Sequence, residues 1–213
     1  DAMSNEVLDR IAELKLVPVI AIENADDAAP LGDALLAGGL ACAEVTFRTK
    51  AAPEAIKAMS ANDQLFVGAG TVLTVDQARQ AVDCGAKFLV SPGTNPKVVE
   101  WAVSHGITIA PGVATPTDIE LAMSFGLTTL KFFPAEAFGG LKTLKAMSAP
   151  YGDVRFIPTG GINADNLIDY LRFNKVIACG GSWMVKGDLI AGHQFDKITE
   201  LTKQAVALAA EAS

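Results

Sequence analysis

Short apolar runs alternating with amphipathic stretches along the whole chain limit what this sequence can fold into more than any other feature. The runs fall at 17–22, 42–47, 65–69, 87–91, 107–110, 128–133, 154–158 and 176–180. Stretches with helical spacing follow them at 26–37, 53–61, 75–84, 96–104, 117–125, 141–148, 164–172 and 194–210, and a further one at about 4–14 precedes the first run. Near-continuous apolarity, rather than strict alternation, marks strands covered on both faces. Units of this kind, similar in length and joined by short connections, predict an α/β chain closed into a (β/α)8 TIM barrel. The extra N-terminal helix precedes it, and one domain spans 1–213. An open doubly wound sheet is the competing arrangement. It calls for a glycine-rich turn after the first strand, where the sequence has Ile22-Glu23-Asn24.

Composition agrees with that reading and narrows the partners. With 213 residues, 50% hydrophobic and 19% charged, the chain has material for one full core. Glycine and proline are dispersed and form no linker. The net charge of −7, with no stripe of Lys or Arg, argues against nucleic acid as a partner. No apolar run approaches the ~20 residues that cross a bilayer, so no membrane association is expected. The N-terminus lacks a signal-peptide pattern. Cys42, Cys84 and Cys179 have no disulfide or zinc spacing and read as free thiols in a reducing cytoplasm.

A barrel of this type carries its chemistry at the C-terminal strand ends. Those ends hold one lysine, one carboxylate and one arginine. Lys131 sits in Thr129-Leu130-Lys131-Phe132-Phe133-Pro134, apolar on both sides. Apolar burial disfavours the ammonium, and the free amine attacks a ketone to give an iminium that draws electrons from the adjacent carbon. A rim lysine reaching solvent is the plainer alternative. Glu44 ends the apolar run 40–43 and is the expected general acid/base, or else an ion-pair partner of Arg48. Arg48 suits two-point binding of a carboxylate or phosphate. Gly160-Gly161 and Gly180-Gly181-Ser182 follow the last two strands, where barrels commonly bind phosphate through backbone N–H groups. His105 and His193 receive no catalytic role, and no cluster has metal-ligand spacing, so neither a metal nor another cofactor is expected.

These residues lie within a set of strings that span nearly the whole chain. They are VPVI at 17–20, EVTFRT at 44–49, GAGTVL at 68–73, SPG at 91–93, PGVATPTD at 111–118, KFFPAE at 131–136, PTGGI at 158–162 and GGSW at 180–183. Together they resemble the 2-keto-3-deoxy-6-phosphogluconate aldolase family, lyases of the Entner–Doudoroff pathway. The resemblance implies reversible cleavage of that phosphosugar acid to pyruvate and glyceraldehyde 3-phosphate by a metal-free class I mechanism. It implies that Lys131 forms the Schiff base and Glu44 is the acid/base. Arg48 and Thr71 would hold the pyruvate carboxylate, Pro92 and Phe133 would shape the pocket, and Thr159 would meet the substrate chain. Gly160, Gly161, Gly181 and Ser182 would bind phosphate. A homotrimer is implied as well. Two positions depart from the common pattern: Phe47 stands where many relatives have Leu, and Thr74-Val75 where they have Asn-Pro. Neither removes a reacting group. Alternatives are cleavage of 4-hydroxy-2-oxoglutarate, which needs no phosphate site, or of the galactonate epimer. A phosphosugar isomerase or synthase on the same barrel would need no imine.

Overall fold

The computed structural model describes residues 5–213. The first helix, α1 (Glu6–Leu14), is capped by Asn5, whose side chain accepts from the N–H groups of Val7 and Leu8. The expected start of that helix at residue 4 lies outside the described residues. Strand β1 (Leu16–Ile20) is buried throughout, as its unbroken apolar run requires. A 3-10 turn at Ala25–Asp27 leads into α2 (Ala28–Ala37), and Gly39 turns the chain away at a positive φ of 85°. Then follow β2 (Cys42–Thr46), α3 (Ala52–Ser60), β3 (Phe66–Gly70), α4 (Val75–Asp83), β4 (Leu89–Val90) and α5 (Pro96–Ser104).

The fifth apolar run forms the short strand β5 (Ile109–Ala110), and a further short strand, β6 (Gly112–Val113), follows beyond the run, parted from it at Pro111. Proline has no N–H for the ladder, so the break falls where the sequence forces it. The chain continues through α6 (Pro116–Ser124), β7 (Thr129–Phe132), α7 (Gly140–Ser148), β8 (Arg155–Pro158), α8 (Leu167–Arg172) and β9 (Cys179–Gly181). It ends with a short helix, α9 (Gly187–Ala191), and the long α10 (Phe195–Glu211). Most expected spans agree with these to within a few residues. The fourth and fifth strands are shorter than their apolar runs, and α9 has no counterpart in the sequence reading.

The strands make a parallel, curled α/β sheet. Six are paired in the order β5-β4-β3-β2-β1-β9, and three in the order β6-β7-β8. Isolated parallel bridges join Phe156 to Val176 and Thr159 to Gly180, between the β8 and β9 segments. The register sets Val19 beside Glu44, Glu44 beside Gly68, and Gly112 beside Lys131. Phe88, Phe132, Phe156 and Tyr170 are the bulkiest buried side chains of one continuous apolar core. Phe88 occupies space that Gly68 leaves open: a Cβ on Gly68 would lie 2.3 Å from that ring. No described helix is long and apolar enough to cross a membrane.

Candidate active site

Strand β2 of the six-stranded run and β7 of the three-stranded run bring Glu44 and Lys131 to one cavity. Each residue is only 4% exposed. The cavity measures about 10 Å³, room for roughly one water-sized group, and apart from Glu44, Lys131, Thr108 and Thr159 its lining is apolar. Lys131 Nζ lies 4.7 Å from the centroid of the Phe133 ring, within cation–π range. Among the described residues no ion pair joins Lys131 to Glu44. Glu44 Oε2 is buried and has no hydrogen-bond partner among the described residues. Its place depends on Gly70, where a Cβ would come within 2.2 Å of that oxygen.

Burial sets the protonation of both groups. It lowers the Lys131 pKa, with the Glu44 charge opposing and the Arg48 charge adding to the fall. It raises the Glu44 pKa, against the pull of Lys131 and Arg48. Each is thus pushed toward its neutral form. A neutral amine is the nucleophile that carbonyl addition needs, and a protonated carboxyl is the donor its developing alkoxide needs.

A second cavity, of about 90 Å³, is lined by Arg48, Phe133, Thr159, Gly160, Gly161, Gly181 and Ser182, together with Val19, Ile162 and Gly180. Thr159 lines both cavities and so stands between them. Gly160 and Gly161 have φ of 102° and 76°, a region where side chains are strained. The N–H groups of Gly160, Gly161 and Ser182 donate to no backbone carbonyl among the described residues. Close-set free N–H groups beside a guanidinium form a concavity suited to an anion.

Nine of the eleven residues given a site role in the sequence reading therefore line these two cavities. Thr71 and Pro92 line neither. Thr71 follows the end of β3 with a positive φ of 53°. The carbonyl of Pro92 is pressed against Gly112, where a Cβ would lie 1.9 Å from the oxygen. Other parts of the strings are structural. Thr46 and Thr49 hydroxyls donate to the carbonyls of Ile20 and Ile22, tying the strand end that carries Arg48 to the end of β1. Thr94 donates to the Gly112 carbonyl at 2.9 Å and Ser91 to that of Gly93 at 2.8 Å, which fixes the loop after β4.

Gly70 and Gly112 were passed over as functional positions. Both glycines lie just past the apolar runs 65–69 and 107–110, and a glycine at a strand often means close approach by a neighbour. His193 pairs with Asp27 at 2.8 Å, and His105 stacks on Trp101, both away from the two cavities. Among the described residues no group of three or more His, Cys, Asp or Glu side chains converges.

Comparison with known proteins places this geometry. Residues 7–201 match the family model for KDPG and KHG aldolase. The chain belongs to this family. Its members are aldolases, so the chain is a carbon–carbon lyase. It is 48% identical over 199 residues to 2-dehydro-3-deoxy-phosphogluconate aldolase of Treponema pallidum, covering 93% of this chain and 95% of the relative. Among solved structures, the 2-keto-3-deoxy-6-phosphogluconate aldolase of Zymomonas mobilis is 43% identical, with a TM-score of 0.87 over 94% of this chain and 97% of that one. The Legionella pneumophila KDPG aldolase, solved with pyruvate captured as a covalent carbinolamine, is 38% identical, with a TM-score of 0.89 over 93% and 97%.

Proposed function

We propose that this aldolase cleaves 2-keto-3-deoxy-6-phosphogluconate reversibly to pyruvate and glyceraldehyde 3-phosphate through an imine on Lys131. The observation that carries the reading is the shared cavity of Lys131 and Glu44, both buried and both pushed toward neutrality. The Lys131 amine attacks the C2 carbonyl, and Glu44 protonates the oxygen, giving a carbinolamine. Loss of water gives the iminium. Removal of the C4 hydroxyl proton lets the C3–C4 bond break, with its electrons drawn into the iminium as an enamine, and the phosphorylated aldehyde leaves. Protonation of the enamine at C3 and hydrolysis then release pyruvate and the free lysine. Glu44 is the group placed to exchange these protons.

Arg48 and Thr71 take the pyruvate carboxylate in this reading, and Pro92 and Phe133 shape the pocket around it. Thr159 meets the substrate chain between the two cavities. Gly160, Gly161, Gly181 and Ser182 take the phosphate, supported by their place with Arg48 in the second cavity. No metal or other cofactor enters any step. The scaffold we propose is one (β/α)8 barrel spanning the chain. Its support is that only Pro111 separates β5 from β6 and that two bridges link the β8 and β9 segments. Helix α1 would close its N-terminal end, since Leu8 and Ile11 line the inner cavity and Asn5 donates to Thr108 at 3.1 Å. A homotrimer in the cytoplasm completes the reading. Exposed Leu73, Leu121, Met123 and Phe138 supply apolar surface for subunit contact, and three free cysteines fit a reducing compartment.

The test is to incubate the protein with pyruvate, reduce with borohydride and locate the adduct by mass spectrometry. We expect it on Lys131 and expect none in Lys131→Ala. Folded protein without an adduct, or full lyase activity in Lys131→Ala, would overturn the mechanism. A second reading, cleavage of 4-hydroxy-2-oxoglutarate, is favoured by the family model's inclusion of KHG aldolase. It uses the same lysine without the second cavity, so equal efficiency on both substrates would favour it.

A further inference from the structure

Glu136 follows the lysine strand by a few residues, and nothing in the proposed chemistry uses it. Yet its main chain and side chain both reach the turn after β8. The Ala135 N–H donates to the Thr159 carbonyl at 2.8 Å, and the Glu136 N–H to that of Gly160 at 3.0 Å. Asn166 Nδ2 donates to Glu136 Oε1 at 3.0 Å, and the same nitrogen donates to the Gly161 carbonyl at 2.9 Å. Asn166 Oδ1 in turn accepts from the Asn163 N–H at 2.9 Å. The other carboxylate oxygen, Oε2, accepts from the Tyr170 hydroxyl at 2.8 Å. Burial, then the bond to Glu136, raises the Tyr170 pKa, so that hydroxyl keeps its proton and remains a donor.

The turn needs such an outside hold. Two successive glycines have wide conformational freedom, and their positive φ values are one choice among many. Gly161 also packs directly on Glu136, where a Cβ would meet the glutamate Cβ at 2.6 Å.

We propose that Glu136 is a positioning residue for the phosphorylated end of the substrate. Acting through Asn166, it fixes the turn from Thr159 to Asn163 so that the Gly160 and Gly161 N–H groups stay in the cavity shared with Arg48 and Ser182. It does so without touching the anion, and the hydrogen bonds it accepts occupy the carboxylate away from that cavity. The inference rests on the phosphate reading of the second cavity. Losing the hold should weaken capture of a phosphorylated substrate while leaving imine chemistry at Lys131 alone.

Steady-state constants for 2-keto-3-deoxy-6-phosphogluconate and 4-hydroxy-2-oxoglutarate, with borohydride trapping of pyruvate, test this in wild type, Glu136→Ala, Glu136→Gln and Asn166→Ala. For Glu136→Ala we expect KM for the phosphorylated substrate to rise about tenfold, the equivalent of one strong hydrogen bond, with little change in kcat. Trapping and cleavage of the unphosphorylated substrate should stay at wild-type levels. Glu136→Gln should restore most of the affinity, because its amide oxygen still accepts from Asn166 and its NH2 group can donate to the Tyr170 oxygen. Asn166→Ala cuts the link while leaving the Glu136–Tyr170 bond, so it carries the same expectation if Glu136→Ala fails to fold. Equal losses on both substrates, or an unchanged KM in folded Glu136→Ala or Asn166→Ala, would overturn the proposal. Ser182→Ala separates the two readings. If it raises KM for the phosphorylated substrate and the Glu136 and Asn166 variants do not, the phosphate reading stands and this one falls. If wild type shows no preference for the phosphorylated substrate, both fall.

Discussion

A buried lysine and a buried glutamate facing one small cavity are costly to the fold, and the cost has a sign that can be measured. The folded-state pKa of Glu44 is raised, chiefly by burial. Such a carboxyl binds its proton more tightly folded than unfolded, so it weakens the fold as pH rises above the unfolded value of about 4.3. Glu44→Gln should therefore melt at a higher temperature than wild type at neutral pH, the gap closing as the pH approaches 4. Thermal melts across that range give the check, and a gap independent of pH would tie the effect to packing instead. The same substitution removes the charge that opposes the lowering of the Lys131 pKa. The acid limb of pyruvate-imine formation should move to lower pH, while turnover drops by roughly 10² to 10⁴ through loss of the proton carrier.

At the level of elements, the family strings divide into residues that line the two cavities and fasteners. In PGVATPTD, Thr115 caps α6 by accepting from the Asp118 N–H, and the Asp118 carboxylate accepts from the N–H groups of Ala114 and Thr115. Thr115→Ala should cost about 1 kcal/mol of stability and leave kcat/KM unchanged, as read by urea denaturation and steady-state assay. A comparable loss of activity would show that this cap also shapes the mouth of the site. Much of this level was legible beforehand. The runs around Val17, Val45 and Leu130 announced buried parallel strands because both faces of each are covered. Helix α9 was not legible, since a five-residue helix is too short to develop a period. Lys131, Glu44 and Arg48 could be read from side-chain chemistry at strand ends. Gly70 and Glu136 could not, because their part lies in contacts across strands and turns: the room Gly70 leaves for Glu44, and the reach of Glu136 to Asn166.

For the molecule as a whole, a chain of net charge −7 that is to take an anionic substrate must concentrate positive potential locally. Arg48, Lys131 and the free N–H groups come from strand ends far apart in sequence, so the site holds together only while the six-stranded and three-stranded runs stay joined. A weak join lies between β8 and β9, where two isolated bridges stand in for a continuous ladder. Cysteine chemistry reads that seam directly. Cys179 lies on β9 and Cys42 on β2 within the six-stranded run, both buried, and burial raises the pKa of each thiol. Cys84, just past α4, is partly exposed. In a closed barrel neither β9 nor β2 is an edge strand. Iodoacetamide should then label Cys84 alone in the native protein, and Cys42 and Cys179 together, at the rate of global unfolding. If the sheet is open at the seam, β9 becomes an edge that frays by itself. Labelling of Cys179 ahead of Cys42, under conditions where circular dichroism shows no unfolding, would place that opening beside the glycines that line the second cavity.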